Sequence, residues 1–160
     1  MNGRIGTKAM VMVCMLLFFT SACSFGKETS VQITYDNSFE SALIELVHTD
    51  GLAPLHDLTD WEWDRVSVFF EGDKTSFVET EVGTPLAGIT DTRSDYLSIR
   101  GNLIVFQLEN RVTKVIGTVI PRIQTNYDPD GRRSYSGRVI VLADPRGYDN
   151  CVLQDDKSSR

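Results

Sequence analysis

Residues 102–120 carry two apolar runs, Asn102 to Glu109 and Val112 to Ile120, on either side of the dipeptide Asn110-Arg111. β-branched and aromatic residues dominate both runs, so the pair predicts two strands joined as an antiparallel hairpin. Leu103 to Leu108 and, further on, Val139 to Leu142 read as apolar on both faces, which puts those strands at the centre of a sheet rather than at its edge. Arg65 to Glu71 adds a strand in which Val66, Val68 and Phe70 alternate with Arg65, Ser67 and Phe69. Gly137 to Ala143 adds a last one, ended by the turn sequence Asp144-Pro145-Arg146-Gly147.

Two helical patterns interrupt the strands. Asn37-Ser38-Phe39-Glu40 fits a capping box, and Phe39, Ala42, Leu43, Leu46 and Val47 recur at the spacing of one helical stripe. They predict an amphipathic helix over about 38–49, with Gly51 as its stop and Glu40, Ser41, Glu45 and His48 outward. Ser76 with Glu79 fits a second capping box, for a short helix over about 76–82 that Gly83 closes. The expected order is α, β, α, β, β, β. It implies an α+β fold: a small antiparallel sheet of about four to five strands, with one main helix and a second short helix packed on it.

Ahead of these patterns, Arg4 and Lys8 precede an apolar run of 11 residues, Ala9 to Phe19. At about 1.5 Å per residue the run reaches about half way across a roughly 30 Å hydrocarbon core, too short for a stable spanning helix. A positive start, a short apolar stretch and then small residues is the layout of a secretory signal peptide. Here the small residues lead into a cysteine, in Phe19-Thr20-Ser21-Ala22-Cys23. This string resembles the bacterial lipobox, the motif read by prolipoprotein-processing enzymes, with Thr20 where an aliphatic residue is usual. The resemblance implies cleavage after Ala22 and a Cys23 carrying diacylglycerol and acyl chains such as palmitate. Burial of acyl chains contributes about 0.8 kcal/mol per CH₂, so two or three chains anchor a domain to a membrane that it does not span.

The same residues admit an ordinary signal peptide cut nearby, which leaves Cys23 free or bridged to Cys151, since Cys14 departs with the signal. With Cys23 acylated, Cys151 is the one thiol of the mature chain and no internal disulfide forms. Ser24 differs from the Asp that commonly retains lipoproteins at an inner membrane. The expected address is therefore the cell envelope: the outer membrane of a two-membrane cell, or the outward side of the plasma membrane of a one-membrane cell.

The chain then divides into a signal peptide over 1–22, a lipidated Cys and flexible polar tether over 23–30, a single domain over 31–153 and a polar tail over 154–160. All 22 acids and 14 of the 16 bases lie in residues 23–160, so this part sits near −8. Phosphate recognition needs a clustered excess of Lys and Arg, which argues against nucleic acid as a main partner.

Trp63-Asp64-Arg65-Val66, Ser67-Val68-Phe69, Thr75 with a short helix ending Val82-Gly83, Leu103-Ile104-Val105-Phe106 and Asn110-Arg111-Val112 leading to Pro121 follow one another in order. This order resembles small bacterial lipoproteins whose strand reads Trp-Asp-Lys/Arg-Val-aromatic-aliphatic-Phe, over roughly 61–121 together with the lipobox. Those relatives usually continue with Gly-Pro-Tyr, where this chain has Phe70-Glu71-Gly72. The resemblance implies envelope anchoring and adds no mechanism.

Three groups of residues suggest chemistry. Asn126, Asp128, Asp130 and Gly131 hold positions 1, 3, 5 and 6 of an EF-hand-like calcium loop, but position 12 is Gly137 in place of the bidentate Glu, and Arg132 and Arg133 oppose a cation, so the segment reads as a turn. Asp60, Glu62 and Asp64 interleave with Trp61 and Trp63, the two residues singled out as possible ligand contacts: exposed rings beside carboxylates grip a sugar or a cation, whereas rings packed at the start of a strand are simply core. His48 and His56 stand eight apart with no recognised metal-ligand spacing, and His48 suits a helix C-terminus.

No Gly-x-Ser-x-Gly, phosphate loop, Cys-x-x-Cys or dinucleotide fingerprint occurs. The sequence thus points to no catalytic residue, and to no metal or cofactor apart from the lipid on Cys23. The expectation is a binding or interaction module with an envelope protein or glycan as partner. An envelope hydrolase acting on glycan or peptidoglycan, and an inhibitor or immunity-type protein, are the alternatives.

Overall fold

The computed structural model describes residues 31–87, 95–97, 99, 101–119, 122–125 and 133–156. Along the chain run β1 (Val31–Gln32), α1 (Asn37–His48), β2 (Leu52–Pro54), a 3-10 turn (Leu55–Leu58), β3 (Arg65–Phe70), α2 (Thr75–Val82) and β4 (Leu86–Ala87). There follow β5 (Asn102–Leu108), β6 (Arg111–Thr118), β7 (Arg122–Thr125), β8 (Ser134–Ser136), β9 (Val139–Ala143) and β10 (Asn150–Asp155). The class is α+β, with more strands than the sequence signals announce. They divide between two four-stranded sheets, β6-β5-β3-β8 and β2-β9-β10-β7, and a short parallel pair, β1-β4.

The predicted hairpin forms in the first sheet, with β5 inside it and β6 at its edge. β5 and β6 pair from Leu108↔Arg111 to Asn102↔Thr118, and β3 pairs with the other side of β5. The turn is Glu109-Asn110, one residue earlier than the dipeptide suggests, and both residues are left-handed (φ 51° and 62°), the geometry of the tight hairpin turn that matches strand twist. β9 is likewise central, between β2 and β10, as its apolar run implies. In the second sheet β10 pairs antiparallel with β9 and parallel with β7.

Both helices form, but their starts are built differently from the capping boxes. The N-cap of α1 is Asp36, whose Oδ1 accepts Phe39 N–H at 3.1 Å, so Asn37 is the first helical residue. At the other end Gly51 N–H donates to Leu46 O at 2.8 Å and Asp50 takes the left-handed position at φ 48°. α2 begins at Thr75, whose N–H donates to Asp95 O at 2.8 Å. No side chain caps the helix, so the Ser76–Glu79 box does not form. Gly83 closes α2 as expected, with φ 75°.

Alternation sends the side chains of the first sheet into two cores. Phe69, Leu103, Val105 and Val115 point to the side covered by Val78 and Val82 of α2, Leu86, Leu97 and Ile99, with Val31 and Ile33 packed against them. Val66, Val68, Ile104, Phe106 and Ile116 point to the other side, where Phe39 and Leu43 of α1 meet Ile123, Val139, Val141, Cys151 and Leu153 of the second sheet. The predicted stripe of α1 is therefore its core face. β10 pairs through Gln154↔Ile140 and Asp155↔Val139, so the last strand carries two residues into the span expected as tail.

Candidate functional site

Trp61 and Trp63 sit at one edge of the core that joins the sheets, just ahead of β3. Trp63 is 3% exposed. Its indole Nε1 donates to Thr59 Oγ1 at 3.0 Å, and the exposed His56 ring stacks on it at 4.0 Å with an 11° tilt. Trp61 is half-buried and meets Phe106 edge-on at 5.1 Å and Phe39 at 6.2 Å. The two rings thus do not stand side by side as an exposed pair. They are core residues at the approach to a strand, which is the bland alternative the sequence allows.

The open face of Trp61 is taken by the chain itself. The Lys114 ammonium lies 3.5 Å from the ring centroid and 2.8 Å from Asp36 Oδ2. A bulge delivers it: the β5–β6 register shifts between Phe106 and Gln107, so that Phe106 faces Lys114, Gln107 faces Val112, and Thr113 is the additional residue, its hydroxyl donating to Phe106 O at 3.2 Å. Asp36 also accepts Ser38 Oγ at 2.5 Å on its other oxygen. The Lys114 hydrogen bond first, then those from Ser38 and Phe39, hold the Asp36 carboxyl far below the usual carboxylate range. Sequence reasoning missed this cation–π and ion-pair cluster, because Asp36 and Lys114 are 78 residues apart and no local signal announces a bulge.

Of the acids interleaved with the tryptophans, Asp60 and Glu62 are exposed, and Asp64 is structural: its Oδ2 accepts Glu109 N–H at 2.9 Å across the hairpin turn. The other displaced carboxyl, Asp144, is buried in the β9–β10 turn and is lowered chiefly by its hydrogen bond with Arg146. Both displaced carboxyls move downward, opposite to what a general acid requires. A shallow open depression of about 420 Å³, lined by Ser76, Glu79, Thr80, Gly83, Thr84 and Pro85, lies beside α2 and brings no second titratable group to Glu79.

Cys151 lies wholly buried beneath α1, its Sγ 3.6 Å from Leu43 O, and burial pushes its thiol up to about 12. His48 is exposed at the end of α1, as expected. Among the described residues no group of three or more His, Cys, Asp and Glu side chains could hold a metal ion, and no helix is long and apolar enough to cross a membrane. Cys23 and the 126–131 loop fall outside the described residues. Comparison of the chain with protein-family models, with curated proteins and with solved structures gives no match.

Proposed function

We propose that this protein is a membrane-anchored lipoprotein of the bacterial cell envelope whose α+β domain is a binding or interaction module. The observation that carries the reading is the N-terminal string: Arg4 and Lys8, an 11-residue apolar run, and then Ser21-Ala22-Cys23. Burial of Cys151 supports it. A thiol sealed under α1 and pushed up to about 12 is a poor partner for Cys23, so the disulfide alternative loses its second cysteine once the domain has folded. The self-filled face of Trp61 and the buried ring of Trp63 favour protein recognition over glycan stacking, because Trp63 is sealed in the core and one face of Trp61 is already occupied by Lys114.

Metabolic labelling with a tagged fatty acid tests the anchor. The wild-type chain incorporates label, and Cys23→Ala abolishes it and leaves a slower-migrating precursor; unchanged labelling in that variant sinks the reading. Affinity capture from envelope extracts then separates the classes. One stoichiometric protein partner supports the interaction module and its inhibitor or immunity-type variant, whereas glycan binding lost in Trp61→Ala or Trp63→Ala supports the hydrolase alternative.

A further inference from the structure

Residues 31–40 hold the outer edge of β6 in two unlike ways. From α1 the hold is ionic and capped: Asp36 pairs with Lys114 while capping the helix, and Glu40 Oε1 accepts Val119 N–H at 3.1 Å. Ahead of Asp36 it rests on one residue. Thr34 forms an isolated parallel bridge with Ile116, in which Thr34 N–H donates to Val115 O and Gly117 N–H donates to Thr34 O, each at 2.9 Å. Thr34 Oγ1 donates to the same Val115 O at 2.9 Å. Val31 and Gln32 add a two-residue pairing with β4.

Burial over this stretch is as thin as the hydrogen bonding. Gln32, Thr34 and Tyr35 are exposed, Tyr35 at 61%, and Val31 and Ile33 are half-buried against the α2-side core. The seat is Gly117. A Cβ there would stand 2.9 Å from Tyr35 Cε1, 3.2 Å from Tyr35 Cζ and 3.4 Å from Ile33 Cγ2, so the segment crosses bare backbone at close range. Segments with few buried contacts and exposed backbone hydrogen bonds open locally, at a lower free energy than the core. We propose that residues 31–35 form a strap that releases as one unit, pivoting at the pinned Asp36, while both sheets stay folded. Closed, the strap covers the edge of β6. Open, it leaves Val115 C=O and Gly117 N–H as an unpaired strand edge, the kind on which extended segments add. The device does not depend on acylation of Cys23.

Hydrogen exchange of the full chain, followed amide by amide at low denaturant, tests the strap. The Thr34 and Gly117 amides are expected to exchange through a common opening about tenfold or more populated than the one that exposes the β5 amides, with little dependence on denaturant, as a small local opening requires. Exchange of both in step with β5 at every denaturant concentration overturns the proposal, because the strap then leaves only with the whole domain. Gly117→Ala drives a wedge at the seat. The backbone of Gly117 is not left-handed, so Ala fits it, and the nearest atoms to the added methyl group all belong to the strap. Thr34 exchange should rise several-fold further in this variant while the β5 amides stay unchanged. Unchanged Thr34 exchange, or an equal rise at Thr34 and β5, overturns the strap as a separate unit. If Gly117→Ala does not fold, the wild-type comparison of Thr34 and Gly117 with β5 decides alone.

Discussion

The two cores on either side of β5 are made of different materials. The α2 side holds a single buried ring, Phe69, among aliphatic side chains from short nearby elements. The other side gathers Phe39, Trp61, Trp63 and Phe106 at its edge and joins a helix, a second sheet and the first sheet around one interior. Packed sheets stand about 10 Å apart, so a core shared by two sheets and a helix has a wider gap to fill, and rings fill it where short aliphatics do not. The α2 side closes a lid over one face. The aromatic side decides whether the two sheets behave as one domain.

Neighbouring residues of one strand put that contrast to its strongest test. Phe106 is buried against three aromatic partners, and its replacement by Ala is expected to destabilise by about 3–5 kcal/mol, through lost burial and the cavity left behind. Val105 points to the opposite core, and Val105→Ala loses two methyl groups, about 1–2.5 kcal/mol. Denaturant melts of both variants measure the difference, and equal losses erase the distinction between the cores. Leu43 anchors α1 in the aromatic core, and Leu43→Ala is expected to cost about 2–5 kcal/mol. A loss under about 0.5 kcal/mol, typical of exposed positions, would mean that α1 does not clamp the sheets.

Asp36 sharpens the comparison from the polar side, because it caps α1 and fixes Lys114 over Trp61 in one step. Asp36→Ala removes a helix cap and a charge-assisted hydrogen bond, together about 2–3 kcal/mol. Its pH dependence has a definite sign. The folded carboxyl lies below its unfolded value of about 3.9, so its stabilisation is complete above that value and disappears as pH falls through it towards the folded one. Between pH 6 and pH 2 the wild-type chain therefore loses more stability than Asp36→Asn. Parallel curves for the two proteins would show that the ion pair contributes nothing.

Legibility followed the length and amphipathicity of each element. α1, β3, β5, β6 and β9 have enough apolar periodicity to be read one by one, and the doubly apolar runs correctly place β5 and β9 inside their sheets. β7 is four residues long with Ile123 buried, and β8 is three residues long, so neither rises above a loop pattern. β10 opens on Asn150 and has a short apolar run, Cys151 to Leu153; it pairs with the neighbouring β9 on one side, but its parallel pairing with β7 on the other is one that no local pattern encodes. Trp61 and Trp63 were legible as core or contact, and burial settled Trp63 as core. Lys114 was invisible as a partner because the bulge that aims it depends on the opposite strand.

The smallest expected effect concerns the hairpin turn, the part of the first sheet furthest from either choice of core. Glu109 holds φ 51°, where a side chain with a Cβ is strained and Asn is tolerated best among residues with a side chain. Its backbone N–H is already satisfied by Asp64, so the side chain can be changed without disturbing that bond. The ion pair of Glu109 with Arg111 is exposed, 3.8 Å long, and worth little. Glu109→Asn should therefore stabilise by about 0.5–1 kcal/mol, seen as a higher denaturant midpoint at unchanged slope. Asp64→Ala should cost more than that substitution gains, because it leaves the turn's first N–H without its acceptor. If Glu109→Asn instead lowers the midpoint, the side chain of Glu109 carries a contact that outweighs the backbone strain, and the turn is held by more than Asp64.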